Sequence, residues 1–165
     1  MSTSSLPLEQ SPSMALARLP LFLQGPVVRG FGRGSKELGV PTANFPEDVV
    51  SSVPSDLQCG VYYGWAQLDG DTVHKSVLSI GYNPFYNNTK MSVETHIIHK
   101  FTHDFYGSLL RLAVVGYLRP ETNFSSVEEL TKAIHCDIAT AQHLLDQPPA
   151  SNYKTHSFFK LNGKL

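Results

Sequence analysis

From Gly60 to Leu118 the chain runs through four stretches rich in β-branched and aromatic residues, joined by short polar connections with no helical period between them. They are Gly60–Leu68 (GVYYGWAQL), Val73–Tyr82, Ser92–Phe101 (SVETHIIHKF) and Leu109–Leu118 (LLRLAVVGYL). Asp69-Gly70-Asp71 is a turn signal between the first two and predicts a hairpin. Strands that follow one another without helices build an antiparallel sheet. Pro26–Phe31, a short apolar run ending in a glycine cluster, brings the count to five or six, enough for closure into a barrel. Eleven Pro and twelve Gly fit such a turn-rich, mainly β fold better than a helical bundle.

One segment is helical. Ser125 and Ser126 stand three residues before Glu128 and Glu129, the capping-box spacing. Val127, Leu130, Ile134, Ile138, Ala141, Leu144 and Leu145 then recur at three- and four-residue steps as one apolar stripe, and Pro148-Pro149 stops it. This helix is expected to cover an open end or side of the barrel. Residues 1 to about 15 are polar, Ser/Pro-rich and aperiodic, which reads as a disordered leader, with the domain occupying 16–165.

Thirteen basic residues against fourteen acidic ones leave a formal net charge of −1, with no electrostatic footprint for nucleic acid or an anionic membrane. No apolar run approaches the roughly 20 residues of a membrane-spanning helix. The stretch Leu19–Leu23 is too short for a signal-peptide core. Cys59 and Cys136 form no C-x-x-C pair and read as two free, buried thiols of a reducing compartment. A cytoplasmic monomer is the expectation. Gly163-Lys164-Leu165 resembles the peroxisomal address S-K-L in its last two residues, a second possible destination.

Gly30-Phe31-Gly32-Arg33-Gly34-Ser35-Lys36 opens a glycine-rich segment that could bring backbone amides and two cationic side chains against a phosphate. It is not a P-loop, because Lys36 follows Ser35 and precedes Glu37; the third glycine comes one residue early for a dinucleotide fingerprint. Asp104-Phe105-Tyr106-Gly107 is not the D-F-G of a protein kinase. Pro41 holds Val40 out of the α region, so Pro41-Thr42-Ala43-Asn44 enters extended. Thr42 and Asn44 then point the same way, their side-chain oxygens about 7 Å apart or less. Two neutral oxygens suit one face of a Mg²⁺ octahedron completed by nucleotide phosphates and water, so the metal should arrive as MgATP.

Glu94 lies in the middle of an apolar strand, where a carboxylate must be solvated, paired or functional. Alternation puts Glu94, His96 and Ile98 on one face and Val93, Thr95, Ile97 and His99 on the other. An outward-facing surface glutamate and a functional carboxylate both fit. His96, His99 and His103 would align as zinc ligands on a helix, but a strand splits His96 from His99.

The ordered set G-F-G-R-G-S-K-E-L-G-V-P-T-A-N-F-P, G-V-Y-Y-G-W, S-I-G-Y-N-P, E-T-H-I, D-F-Y-G and G-Y-L-R-P-E closely resembles the eukaryotic riboflavin kinase family, over about Arg18 to Phe159. The resemblance implies a six-stranded antiparallel Greek-key β-barrel with one C-terminal α-helix. It implies transfer of the γ-phosphoryl of ATP to the 5′-hydroxyl of riboflavin, giving FMN, without the adenylyltransferase domain that makes FAD in many bacterial relatives. Carried over residue by residue, it implies that Gly30, Lys36, Thr42 and Asn44 bind MgATP, with Thr42 and Asn44 as metal ligands. Glu94 would be the general base. Ile97, His99 and Tyr106 fall in the strand and loop that hold the adenine nucleotide. Arg119, Thr122 and Phe124 should close over the flavin; Thr122 departs from the Lys of many relatives, which points to a backbone contact. A non-catalytic flavin or nucleotide carrier on the same barrel would need neither the base nor the metal ligands.

Overall fold

The computed structural model describes residues 18–28, 42–82, 91–101 and 104–160. Six strands form one antiparallel sheet: β1 (Leu21–Pro26), β2 (Ala43–Asn44), β3 (Gly60–Leu68), β4 (Val73–Tyr82), β5 (Met91–Ile97) and β6 (Leu109–Arg119). Their spatial order is β1-β6-β3-β4-β5-β2. Val28, just past β1, donates its N–H to the Asn44 carbonyl of β2 at 2.9 Å. That bridge ties the two ends of the order together and curls the sheet toward the expected barrel.

Two apolar clusters explain why β3 and β6 carry almost no polar alternation: both of their faces are buried. The inner face packs Leu23, Tyr62, Ala66, Leu78, Ile80, Val93, Ile97, Leu110, Leu112 and Val114 into the core. The outer face of the middle strands packs Val61, Trp65, Val77 and Ala113 against Ala141 and Leu145 of α2 (Val127–Leu145), with Phe159 from a 3₁₀ turn beyond it. A short helix α1 (Glu47–Val50) follows β2. Trp65 Nε1 donates to the Ala150 carbonyl at 3.0 Å and Gln67 Nε2 to the Phe159 carbonyl at 3.1 Å, so the C-terminal turns are fastened to the sheet as well as packed on it.

The hairpin forms where the sequence puts it. Asp69 (φ 53°) and Gly70 (φ 75°) both take positive φ, the type I′ geometry whose twist matches the flanking strands, and Asp71 N–H closes onto the Leu68 carbonyl at 2.9 Å. The predicted helix also starts at its cap. Ser126 Oγ accepts from Glu129 N–H at 3.1 Å, while Glu129 Oε1 accepts from the Ser125 hydroxyl at 2.8 Å, so the reciprocal half of the box falls one residue early.

Four expectations change. The first strand among the described residues is Leu21–Pro26, earlier than the expected Pro26–Phe31, of which residues 29–31 lie outside the described residues; Leu21 and Leu23 alternate inward against β6 inside what reads as a continuous apolar run. β5 ends at Ile97, not Phe101: His99 N–H bonds back to the Ile97 carbonyl at 2.8 Å and turns the chain. Val127 is 63% exposed, since the first turn of α2 projects beyond the sheet and only Ala141 and Leu145 of the apolar stripe are fully buried. The cysteines are free but not buried: Cys136 is on the solvent side of α2, and Cys59 is half-buried ahead of β3. The leader and the C-terminal tripeptide lie outside the described residues.

Candidate active site

Register, not sequence proximity, assembles the site. Asn44 is paired across the ladder with Glu94, Glu94 with Ser79, Ser79 with Val61, and Val61 with Arg119. Residues directly opposite one another share a face of a sheet. The row therefore places Asn44, Glu94, Ser79 and Arg119 together on the outer face, the face to which Val61 belongs. Glu94 is half-buried there, while its neighbours Val93 and Thr95 point into the core. His96 shares the face of Glu94, opposite Val77.

Asn44 is held from both sides, its carbonyl by Val28 and its strand by β5. Ala43 turns inward and is buried, so Thr42 and Asn44 flank it on the outer side, both half-buried. Two neutral oxygens beside a carboxylate fit a Mg²⁺ that brings its own phosphate ligands; they are too few and too weak to hold the bare ion. Among the described residues no cluster of three or more His, Cys, Asp and Glu is disposed to hold a metal.

Arg119 ends β6 and is fixed by α2. Its Nε and Nη2 donate to the two oxygens of Asp137 at 2.9 and 2.7 Å, a bidentate pair. Those hydrogen bonds outweigh burial and hold the guanidinium above its ordinary pKa. Arg119 Cζ also lies 5.7 Å from the centre of the Phe124 ring, so the Arg119–Phe124 loop is anchored at both ends by one cation. Thr122 is exposed within it, its hydroxyl 3.5 Å from the Pro120 carbonyl.

Glu121 belongs to the same loop and places its carboxyl group on the backbone of Gly81 in β4. Burial pushes its pKa up, and the negative charge of Glu94 pushes it further. The Cys59 thiol is raised by burial and then by Glu121.

The residues assigned to the nucleotide are dispersed. Ile97 is 3% exposed with its side chain in the inner cluster, which leaves only its backbone to meet a ligand. His99, beyond the end of β5, stacks on His74 of β4 with ring centres 4.1 Å apart, and Phe101 meets His99 edge-on at 4.7 Å. Tyr106 is 39% exposed in the turn before β6. Gly30, Lys36 and His103 lie outside the described residues. Thus Asn44, Glu94 and Arg119 share one row across the middle of β5, while the His99 cluster stands beyond its end at Ile97.

Three participants escaped the sequence reading. Ser79 opens the S-I-G-Y-N-P motif, but nothing local singles out its side chain. Asp137 had a local signal: it falls on the buried stripe between Ile134 and Ala141, where a charge requires a partner. Glu121 was visible within R-P-E-T-N-F but nothing local distinguishes it from a surface acid.

The family model for riboflavin kinase (flavokinase) matches residues 17–145. A riboflavin kinase of Mus musculus is 57% identical over 148 residues, covering 89% of this chain and 96% of that protein. A Homo sapiens riboflavin kinase is 55% identical over 147 residues, covering 89% and 95%. The crystal structure of riboflavin kinase from Trypanosoma brucei superposes with a TM-score of 0.67 at 30% identity, covering 86% of this chain and 89% of that one. With a family model over most of its length and relatives above half identity across nearly their whole sequences, the chain belongs to the riboflavin kinase family.

Proposed function

We propose that the chain transfers the γ-phosphoryl group of MgATP to the 5′-hydroxyl of riboflavin, giving FMN and ADP, with Glu94 as the general base. The observation that carries this reading is the direct pairing of Asn44 with Glu94. It sets an oxygen donor suited to the metal-bound phosphates beside a carboxylate that can take the hydroxyl proton.

The step balances simply. The 5′-oxygen attacks the γ-phosphorus, its proton passes to the Glu94 carboxylate, and the bond to the β–γ bridging oxygen breaks so that ADP leaves with that electron pair. Phosphoryl transfer needs positioning and charge neutralisation more than covalent help. Thr42 and Asn44 would hold the phosphate-borne Mg²⁺, which supplies charge neutralisation when bound. Gly30 and Lys36 would contact the phosphates; Ile97 through its backbone, His99 and Tyr106 would line the adenine side. Arg119, Thr122 and Phe124 would hold the flavin, with Arg119 and Phe124 preset by Asp137.

Glu94→Gln tests the assignment. It keeps the size and one accepting oxygen but cannot take a proton. Riboflavin and ATP should still bind, while single-turnover FMN formation falls by roughly 10²–10⁴-fold. Turnover near wild type would sink Glu94 as the base and leave the row as a binding surface.

A further inference from the structure

Glu121 is the second carboxylate of this patch, and the fold makes room for it. A Cβ built on Gly81 would stand 2.9 Å from Glu121 Cδ and 3.0 Å from Oε1, and closer still to Oε2. β4 therefore forgoes a side chain at the one point where this carboxylate lies down on it. Gly81 pairs with Ser92, and two residues along the same strands Ser79 pairs with Glu94. The two rows share the outer face and are about 7 Å apart along the strands. Glu121 thus lies one row from Glu94, with the half-buried Ser79 and Ser92 on the same surface.

Two carboxylates this close repel unless proton donors come between them. The Arg119–Asp137 pair, two residues before Glu121, points its cation toward α2 rather than between the acids. A polyol chain carries such donors, neutral hydroxyls spaced along its length. We propose that Glu121 recognises the ribityl chain of riboflavin: seated on Gly81, its carboxylate accepts a hydrogen bond from a chain hydroxyl nearer the ring than the one phosphorylated at Glu94. The inference rests on the assignment of Glu94 as the residue that meets the 5′-hydroxyl. With that end fixed, the chain runs past Glu121 toward Arg119 and Phe124, where the isoalloxazine ring would sit. A site built to bond a hydroxyl discriminates against a ligand lacking it, because its own polar group is then left unpaired.

The test separates chain recognition from ring binding. Dissociation constants for riboflavin and for lumiflavin, which carries a methyl group in place of the ribityl chain, are measured by flavin fluorescence quenching with MgADP present. The wild type should prefer riboflavin. Glu121→Ala should weaken riboflavin by roughly 10- to 100-fold, the loss of one hydrogen bond to a charged group, and leave lumiflavin unchanged. Gly81→Ala, which retains the carboxylate but displaces it, should do the same, and Glu121→Gln, which keeps an accepting oxygen, should recover part of the preference. The proposal is overturned if the wild type binds both flavins alike, if riboflavin affinity survives Glu121→Ala, or if both flavins weaken equally, which would make Glu121 only a seat for the loop. Failure of the Glu94 assignment would show instead in the turnover of Glu94→Gln, which these binding measurements do not use.

Discussion

His74 and His99 stack beyond the end of β5, and burial followed by the charge of His99 lowers the pKa of His74 against an opposing pull from Asp71. The folded protein therefore takes up this proton less readily than the unfolded chain, whose histidines titrate near 6.5. The unfolded state binds more protons as pH falls, so the contribution of His74 to stability is complete above about 6.5 and is lost as pH drops through its lower folded value. His74→Gln should flatten that part of the profile. Thermal unfolding at about pH 8 and about pH 5.5 should show a smaller drop for the variant than for the wild type; equal drops would place the acid sensitivity elsewhere. At this scale the sequence was only partly legible. The position of Glu94 in an apolar strand announced a question, but its answer needed Asn44 and Ser79 on either side, residues far away along the chain.

At the scale of elements, α2 is legible and its docking is not. The Ser126–Glu129 cap and the stripe through Ala141 and Leu145 specify a helix with one apolar face. Which sheet face it covers depends on partners supplied by β3, β4 and β6. Val61, Trp65, Val77 and Ala113 receive the stripe, Lys75 pairs with Asp146 at 2.8 Å, and Asp137 takes Arg119. The last contact couples the helix to the loop that would close on the flavin. Asp137→Asn keeps the shape but loses the bidentate charge-assisted bonds, at a cost of about 1–3 kcal/mol. Chemical denaturation should register that loss, and steady-state kinetics should show KM for riboflavin rising well ahead of KM for ATP. Both constants rising together would assign Asp137 to general stability alone. Glu129→Ala would not substitute for this test, since the cap acts on the far end of the helix from the sheet.

For the whole molecule, the sheet's first and last strands meet at Asn44, which joins the bridge to Val28 and the row to Glu94 at one residue. If Thr42 and Asn44 complete a metal site only with phosphate oxygens, Mg²⁺ alone should bind weakly and Mg²⁺ with ADP tightly. Calorimetry of Mg²⁺ into protein with and without ADP reads this directly, and tight binding without nucleotide contradicts it. Binding to the folded form alone should also raise the unfolding temperature, by the equivalent of about 2.7 kcal/mol at a hundredfold excess over Kd.

The sequence by itself determined the strand run from Gly60 to Leu118, the Asp69-Gly70 hairpin and the capped helix, because period-two alternation, positive-φ turn residues and a cap are local properties written within ten or twenty residues. Its motifs, through family resemblance, also marked Asn44, Glu94 and Arg119. Only the tertiary structure decided that β1 begins at Leu21 and lies beside β6, and that Asp137 meets Arg119. It alone set the carboxylate of Glu121 on Gly81. These depend on register between distant strands and on close approach of side chain to backbone, and a one-residue slip in either would send each group to the opposite face of the sheet.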